Sequence, residues 1–137
     1  MALYLSELKA KAFEGTLADN VILITADTIV CIDNMILGKP ADYADAVRIL
    51  EILSGRKHEV ITAVCLTSRE KQISFFASSY VYFKPLNKAE IDYYITYYKP
   101  FDKAGAYGAQ DWIGLTGIER IEGSYFNVMG LPVKELY

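Results

Sequence analysis

The sequence predicts an α/β fold in which a mixed sheet is flanked by helices, and three observations carry that prediction. Runs rich in β-branched residues recur along the chain. Two stretches with apolar residues at helical spacing each begin on a capping side chain, Asp42 or Asn87. The two kinds of segment interleave irregularly, without the strict alternation of a doubly wound sheet. The 137 residues, 53% hydrophobic and 23% charged, suit one globular domain spanning 1–137, and no repeat, linker or low-complexity tract divides them.

Taken in order, the spacing predicts a helix over Leu3–Phe13, with Leu5, Leu8 and Ala12 on its apolar face and Glu7, Lys9 and Lys11 elsewhere. Val21–Ala26 and Thr28–Ile32 read as strand. Asp33-Asn34 makes a tight turn, since both types tolerate left-handed backbone, and "MILG" is the short returning strand. Asp42 caps a helix through Ala46, Val47, Ile49, Leu50 and Leu53 that stops at Ser54-Gly55. "HEVITAVCLTS" and "ISFFASSYVYFK" are strands joined by the charged turn "SREK". Asn87 opens the helix "KAEIDYYITYY", whose end Pro100 signals. Beyond Phe101 come a strand at "GIERIE" and a short helix near "YFNVMG", capped by Ser124.

Charge and cysteine content narrow the function classes. A net charge of −3 argues against a nucleic-acid partner, which needs a basic stripe. The tyrosines at 93, 94, 97 and 98 fall on two faces of one helix with no such stripe, so they are packing and surface. Cys31 and Cys65 lie in apolar strands without metal spacing, which predicts reduced thiols and a cytoplasmic location. The acid and two lysines of the first helix do not suit a signal peptide, and no apolar run approaches the ~18 residues of a membrane span.

Three stretches carry groups able to do chemistry. In "ITADTIV", Asp27 stands where the strand pattern asks for an apolar residue. It fits either a cleft-facing carboxylate, able to hold a hard divalent cation or take a proton from water, or a structural aspartate bonded to backbone. In "ILGKP", Lys39 is fixed between glycine and proline, as a point charge for a phosphate or as an exposed strand-end lysine. In "PFDKAGAYGAQDWIG", small residues alternate with Asp102, Lys103, Tyr107, Gln110 and Trp112. This is a Gly-rich surface loop or a ligand cradle in which the Gln110 amide reads a base edge. His58, the sole histidine, sits at a strand start beside Glu59, as half of a catalytic dyad or, as is commoner for a lone histidine at a strand edge, as a structural side chain.

At "ADTIV", "ILGKP", "LSG" with "H-x-V-x-T-A-V", "DKAGAYGAQ" and "IEGSYFNVMGLP", in this order, the chain resembles the Maf family of nucleoside triphosphate pyrophosphatases along nearly its whole length. "YLSELKA" also resembles that family's lysine-bearing helix. The resemblance implies an elongated, Ham1-like (ITPase-like) fold with a cleft between two lobes. It also implies hydrolysis of a nucleoside triphosphate to the monophosphate and pyrophosphate. On that reading Asp27 is the proton acceptor and a metal neighbour, Lys9 and Lys39 neutralise phosphate charge, and Thr28 and Gln110 help choose the base. A divalent cation, Mg²⁺ or Mn²⁺, is the implied cofactor. "AYGAQ" and "GSYFNV" resemble the branch acting on dTTP and UTP, with modified pyrimidine nucleotides as further candidates. The alternative implied function is a non-catalytic nucleotide-binding or cell-division-regulating protein.

One departure accompanies the resemblance. The family's first strand, "S-x-S-P-R-R" loop and acidic segment do not precede "LYLSELKA". The expectation is therefore an N-terminally shortened domain lacking a strand and helix, with weakened phosphate binding and reduced turnover. An open sheet edge would favour a homodimer.

Overall fold

The computed structural model describes residues 2–13 and 21–133. Helix α1 (Ala2–Lys11) leads into a sheet of five strands, β1 (Leu23–Ile32), β2 (Met35–Leu37), β3 (Lys57–Thr67), β4 (Gln72–Phe83) and β5 (Ile118–Glu122). Helices α2 (Tyr43–Leu53) and α3 (Lys88–Tyr98) follow β2 and β4. Two 3-10 turns, Pro100–Asp102 and Ala104–Ala106, then lead to the short helix α4 (Trp112–Gly117), and α5 (Tyr125–Met129) follows β5.

The strand order is β2-β1-β3-β4-β5, and every pairing among the described residues is antiparallel, where the sequence suggested a mixed sheet. The α/β class and flanking helices stand. Hairpins explain the direction of the sheet: Asp33 and Asn34, at φ 50° and 62°, make the two-residue turn that returns β1 into β2. Strand β1 runs unbroken through Asp27, so the aspartate does not divide it into two segments. From Leu23 to Ile29 it pairs with β3 on one side only, because β2 reaches only Val30–Ile32. Asp27 and Thr28 thus lie on an open strand edge among the described residues.

Side chains alternate across a strand, so the sheet has two faces. Val30, Ile32, Val60, Val81 and Phe83 turn to the face covered by α2 and α3, and pack with Ile49, Leu50, Leu53, Ile91, Tyr94 and Ile95 in one core. The Asp42 carboxylate accepts from Asp45 N, and Asn87 with Glu90 forms a reciprocal capping box, so both helix starts are where the sequence put them.

The opposite face carries α1. Its buried residues are Ala2, Ser6 and Ala10, while Leu8 is 49% exposed and Ala12 lies beyond the helix end. This corrects the predicted stripe of Leu5, Leu8 and Ala12. Small residues at i, i+4 and i+8 let the helix backbone approach the strands, and the Thr25 hydroxyl donates to Ser6 O at 2.7 Å in that contact. A leucine stripe would hold the helix off. Helix α4 has no counterpart in the sequence reading.

Cys31 and Cys65 are both free thiols. Among the described residues no helix is long and apolar enough to cross a membrane.

Candidate active site

The edge of β1, the end of β2, the Gly-rich turns and α5 enclose a cleft of about 340 Å³. Lys9, Asp27, Thr28, Lys39 and Gln110 all line it. Five positions spread over a hundred residues of sequence therefore share one cavity.

Each is brought there by a different element. Lys9, in the last turn of α1, donates from Nζ to Asp27 Oδ1 at 2.8 Å and to Ala26 O at 3.0 Å. The Asp27 side chain is 19% exposed and Lys9 53%, so this ion pair sits at the cleft mouth, in contact with solvent. Lys39 comes two residues after the end of β2, and Pro40 behind it is buried. No protein atom lies within 4 Å of a Cβ built on Gly38, so the room at this glycine faces open space, not a packed neighbour. Gly38 O accepts from Gly105 N at 3.2 Å and ties the lysine segment to the Gly-rich turns. Gly105 itself is at φ 73°, and a Cβ there would come within 2.9 Å of Val30, so this position needs glycine on both counts.

Gln110 rides on a loop held by two buried tyrosines. Tyr94, from α3, donates to Asp111 Oδ2 at 2.8 Å and accepts from Gly108 N at 3.0 Å. Burial chiefly raises its pKa, so the phenol keeps its proton. Tyr107 OH lies 2.6 Å from His58 Nε2, and the Tyr107 ring packs edge-on against both His58 and Phe83. Burial lowers the His58 pKa to about 4, so the imidazole is neutral at physiological pH. His58 is only 2% exposed and is a core side chain, in agreement with its structural reading.

Thr28 faces the other way from Asp27. Its Oγ1 lies 2.9 Å from Thr62 Oγ1, and Thr62 donates to Asn127 O of α5 at 3.0 Å. The Asn127 amide in turn donates to Ser79 Oγ at 2.8 Å, fastening α5 across the sheet. Val30, Val60, Val128 and Met129 give this side of the cleft an apolar wall.

Asp102 and Lys103 also reach the cleft, so three lysines (9, 39 and 103) stand against two aspartates (27 and 102). Lys103 lies in the dense Gly-rich stretch, where the sequence assigns it no role. Its position between Asp102 and two small residues was the available signal. The apolar wall was not foreseen, because its members come from β1, β3 and α5.

No group of three or more His, Cys, Asp or Glu side chains able to hold a metal is found among the described residues. Asp27 offers one carboxylate whose Oδ1 is occupied by Lys9. That donor set fits a hard divalent cation arriving with a polyphosphate and keeping several waters, which needs only one or two protein carboxylates.

Known proteins resemble this chain over nearly its whole length. Residues 1–137 match the family of Maf-like proteins. A protein of Christiangramia forsetii named dTTP/UTP pyrophosphatase is 55% identical over 134 residues, covering 98% of this chain and 68% of its own length. A Porphyromonas gingivalis protein of the same name is 53% identical over 137 residues, covering 98% and 69%. One from Bacteroides fragilis is 51% identical over 135 residues, covering 98% and 70%. With a match that runs from the first residue to the last, this chain belongs to the Maf family.

Proposed function

We propose that the protein is a nucleotide pyrophosphatase that hydrolyses dTTP and UTP to the monophosphate and pyrophosphate. The observation that carries the reading is the single cleft shared by Asp27, Lys9 and Lys39, in a chain at least half identical to relatives named for this activity. Water adds to the α-phosphorus, the bond to the bridging oxygen breaks, and pyrophosphate leaves. Phosphoryl transfer asks for positioning and positive charge more than for covalent work by side chains. The lysines at 9, 39 and 103 supply that charge, and Asp27 accepts the proton of the attacking water. Lys9, by holding Oδ1, leaves the other carboxylate oxygen for that task. A divalent cation, Mg²⁺ or Mn²⁺, would bind at Asp27 and neutralise part of the phosphate charge when present.

Thr28 and Gln110 meet the base. The apolar wall of Val30, Val60, Val128 and Met129 suits a planar pyrimidine ring, and small residues on the facing loop admit it. The reading places the enzyme in the cytoplasm, where nucleotides and reduced thiols coexist. A purely regulatory protein is not favoured, since the relatives carry an enzymatic name.

The test is pyrophosphate release from dTTP, UTP, CTP, ATP and GTP with Mg²⁺ or Mn²⁺. Turnover of dTTP and UTP above the others is expected. Preference for a purine triphosphate would overturn the substrate assignment, and absence of release from all five would overturn the activity.

A further inference from the structure

We propose that Thr62, a buried residue that does not line the cleft, fixes the hydrogen-bonding sense of Thr28, so that Thr28 meets the nucleotide only as an acceptor. The inference rests on the pyrimidine reading above for the identity of the ligand, but its structural half does not.

Protons are counted along the relay. Two oxygen–oxygen contacts are in line: Thr28 Oγ1 to Thr62 Oγ1 at 2.9 Å, and Thr62 Oγ1 to Asn127 O at 3.0 Å. Each needs one proton, and the two hydroxyls have one each. A carbonyl oxygen cannot donate, so the proton between Thr62 and Asn127 comes from Thr62. The proton between the threonines must then come from Thr28. The reverse choice, Thr62 donating to Thr28, would leave lone pairs facing lone pairs at Asn127 O. Thr62 is 0% exposed, so no water relieves that contact. Asn127 O also accepts from Gly130 N at 3.0 Å, which pins the carbonyl in place.

Thr28 therefore spends its single proton inward. What it shows to the cleft is lone pairs, and a ligand atom that meets them must be a donor. Uracil and thymine carry one N–H donor on their pairing edge, the imide N3–H. Cytosine has an unprotonated N3 and carries its donor on the neighbouring 4-amino group, so a cytosine seated with N3 against Thr28 sets a lone pair against a lone pair. With position 3 of the base against Thr28, the relay discriminates uracil and thymine from cytosine at a residue whose own hydroxyl, left free to rotate, could serve either.

Thr62→Val and Thr62→Ser test it, with kcat/KM measured for UTP and CTP beside the wild type. Valine keeps the shape and frees the Thr28 proton to turn toward the cleft. The UTP-to-CTP ratio is expected to fall by about tenfold or more in Thr62→Val and to stay near the wild-type ratio in Thr62→Ser. A change in packing alone would lower both substrates together and leave the ratio unmoved, which would overturn the proposal. Neutron diffraction from the perdeuterated, unliganded protein tests the proton direction without turnover or mutation. The Thr62 deuteron is expected on the line to Asn127 O and the Thr28 deuteron on the line to Thr62. A Thr62 deuteron aimed at Thr28 would overturn the inference even with catalysis intact. Wild type that releases no pyrophosphate from UTP, with the deuterons as expected, would instead overturn the proposed activity alone.

Discussion

Lys9 on the last turn of α1 and Asp27 in the middle of β1 meet at 2.8 Å, and the lysine also caps the Ala26 carbonyl at 3.0 Å. One ammonium thus ties the helix to the strand while orienting the carboxylate. The pair is solvent-exposed on the lysine side, so its contribution to folding is small. Replacing Lys9 by Met should change unfolding free energy by no more than about 1 kcal/mol in urea titrations. The same change should raise KM for UTP by roughly tenfold, through the loss of one charge-assisted phosphate contact. A large stability loss with unchanged KM would assign Lys9 a structural role only.

Asp27→Asn preserves shape and removes the carboxylate proposed to accept the proton. Pyrophosphate release should fall by ~100-fold or more, with the circular dichroism spectrum unchanged. Retained turnover would exclude Asp27 as the base.

Burial of His58 gives a pH signature. Its pKa falls from 6.5 to about 4 in the folded protein. Between those values the unfolded chain binds a proton that the native state does not. Stability should therefore be complete above pH ~6.5 and decline as pH drops toward 4, by on the order of 2–3 kcal/mol from this group. His58→Phe, which keeps a ring against Phe83 and Tyr107, should flatten that part of the profile. Denaturant unfolding at pH 5 and pH 7 reads the slope in both proteins, and equal slopes would refute the assignment.

Tyr94→Phe removes the hydroxyl that accepts from Gly108 N and donates to Asp111. The buried amide loses its partner, which should cost about 1–3 kcal/mol. Gln110 is two residues from Gly108, so the loop's hold on the base should loosen too. KM for dTTP is expected to rise more than kcat falls, and the reverse pattern would place Tyr94 closer to the reaction than the structure does.

Much of this molecule could be read from local chemistry. Helix starts at Asp42, Asn87 and Ser124 were legible because a capping side chain acts within three residues of itself. The Asp33-Asn34 turn was legible for the same reason. The face of α1 was not, because Ala2, Ser6 and Ala10 are buried by how closely the helix sits on the strands, a distance set elsewhere in the chain. The antiparallel sheet also depended on pairings between strands distant in sequence. Asp27 and Lys39 stood out as polar groups in places where the local pattern does not ask for them. The Thr28–Thr62–Asn127 relay gave no such sign, since a threonine in a strand is ordinary.

Asp27 and Thr28 are consecutive, and a strand sends consecutive side chains to opposite sides. One meets α1 and the other the α5 side, yet both border the same cleft because it lies across the open rim of β1. On the proposed function, turnover and choice of base fall to separate banks of a single strand. Substitutions on the Thr62 bank should then shift selectivity between bases more than they slow hydrolysis, which makes this rim a practical place to engineer new nucleotide preferences.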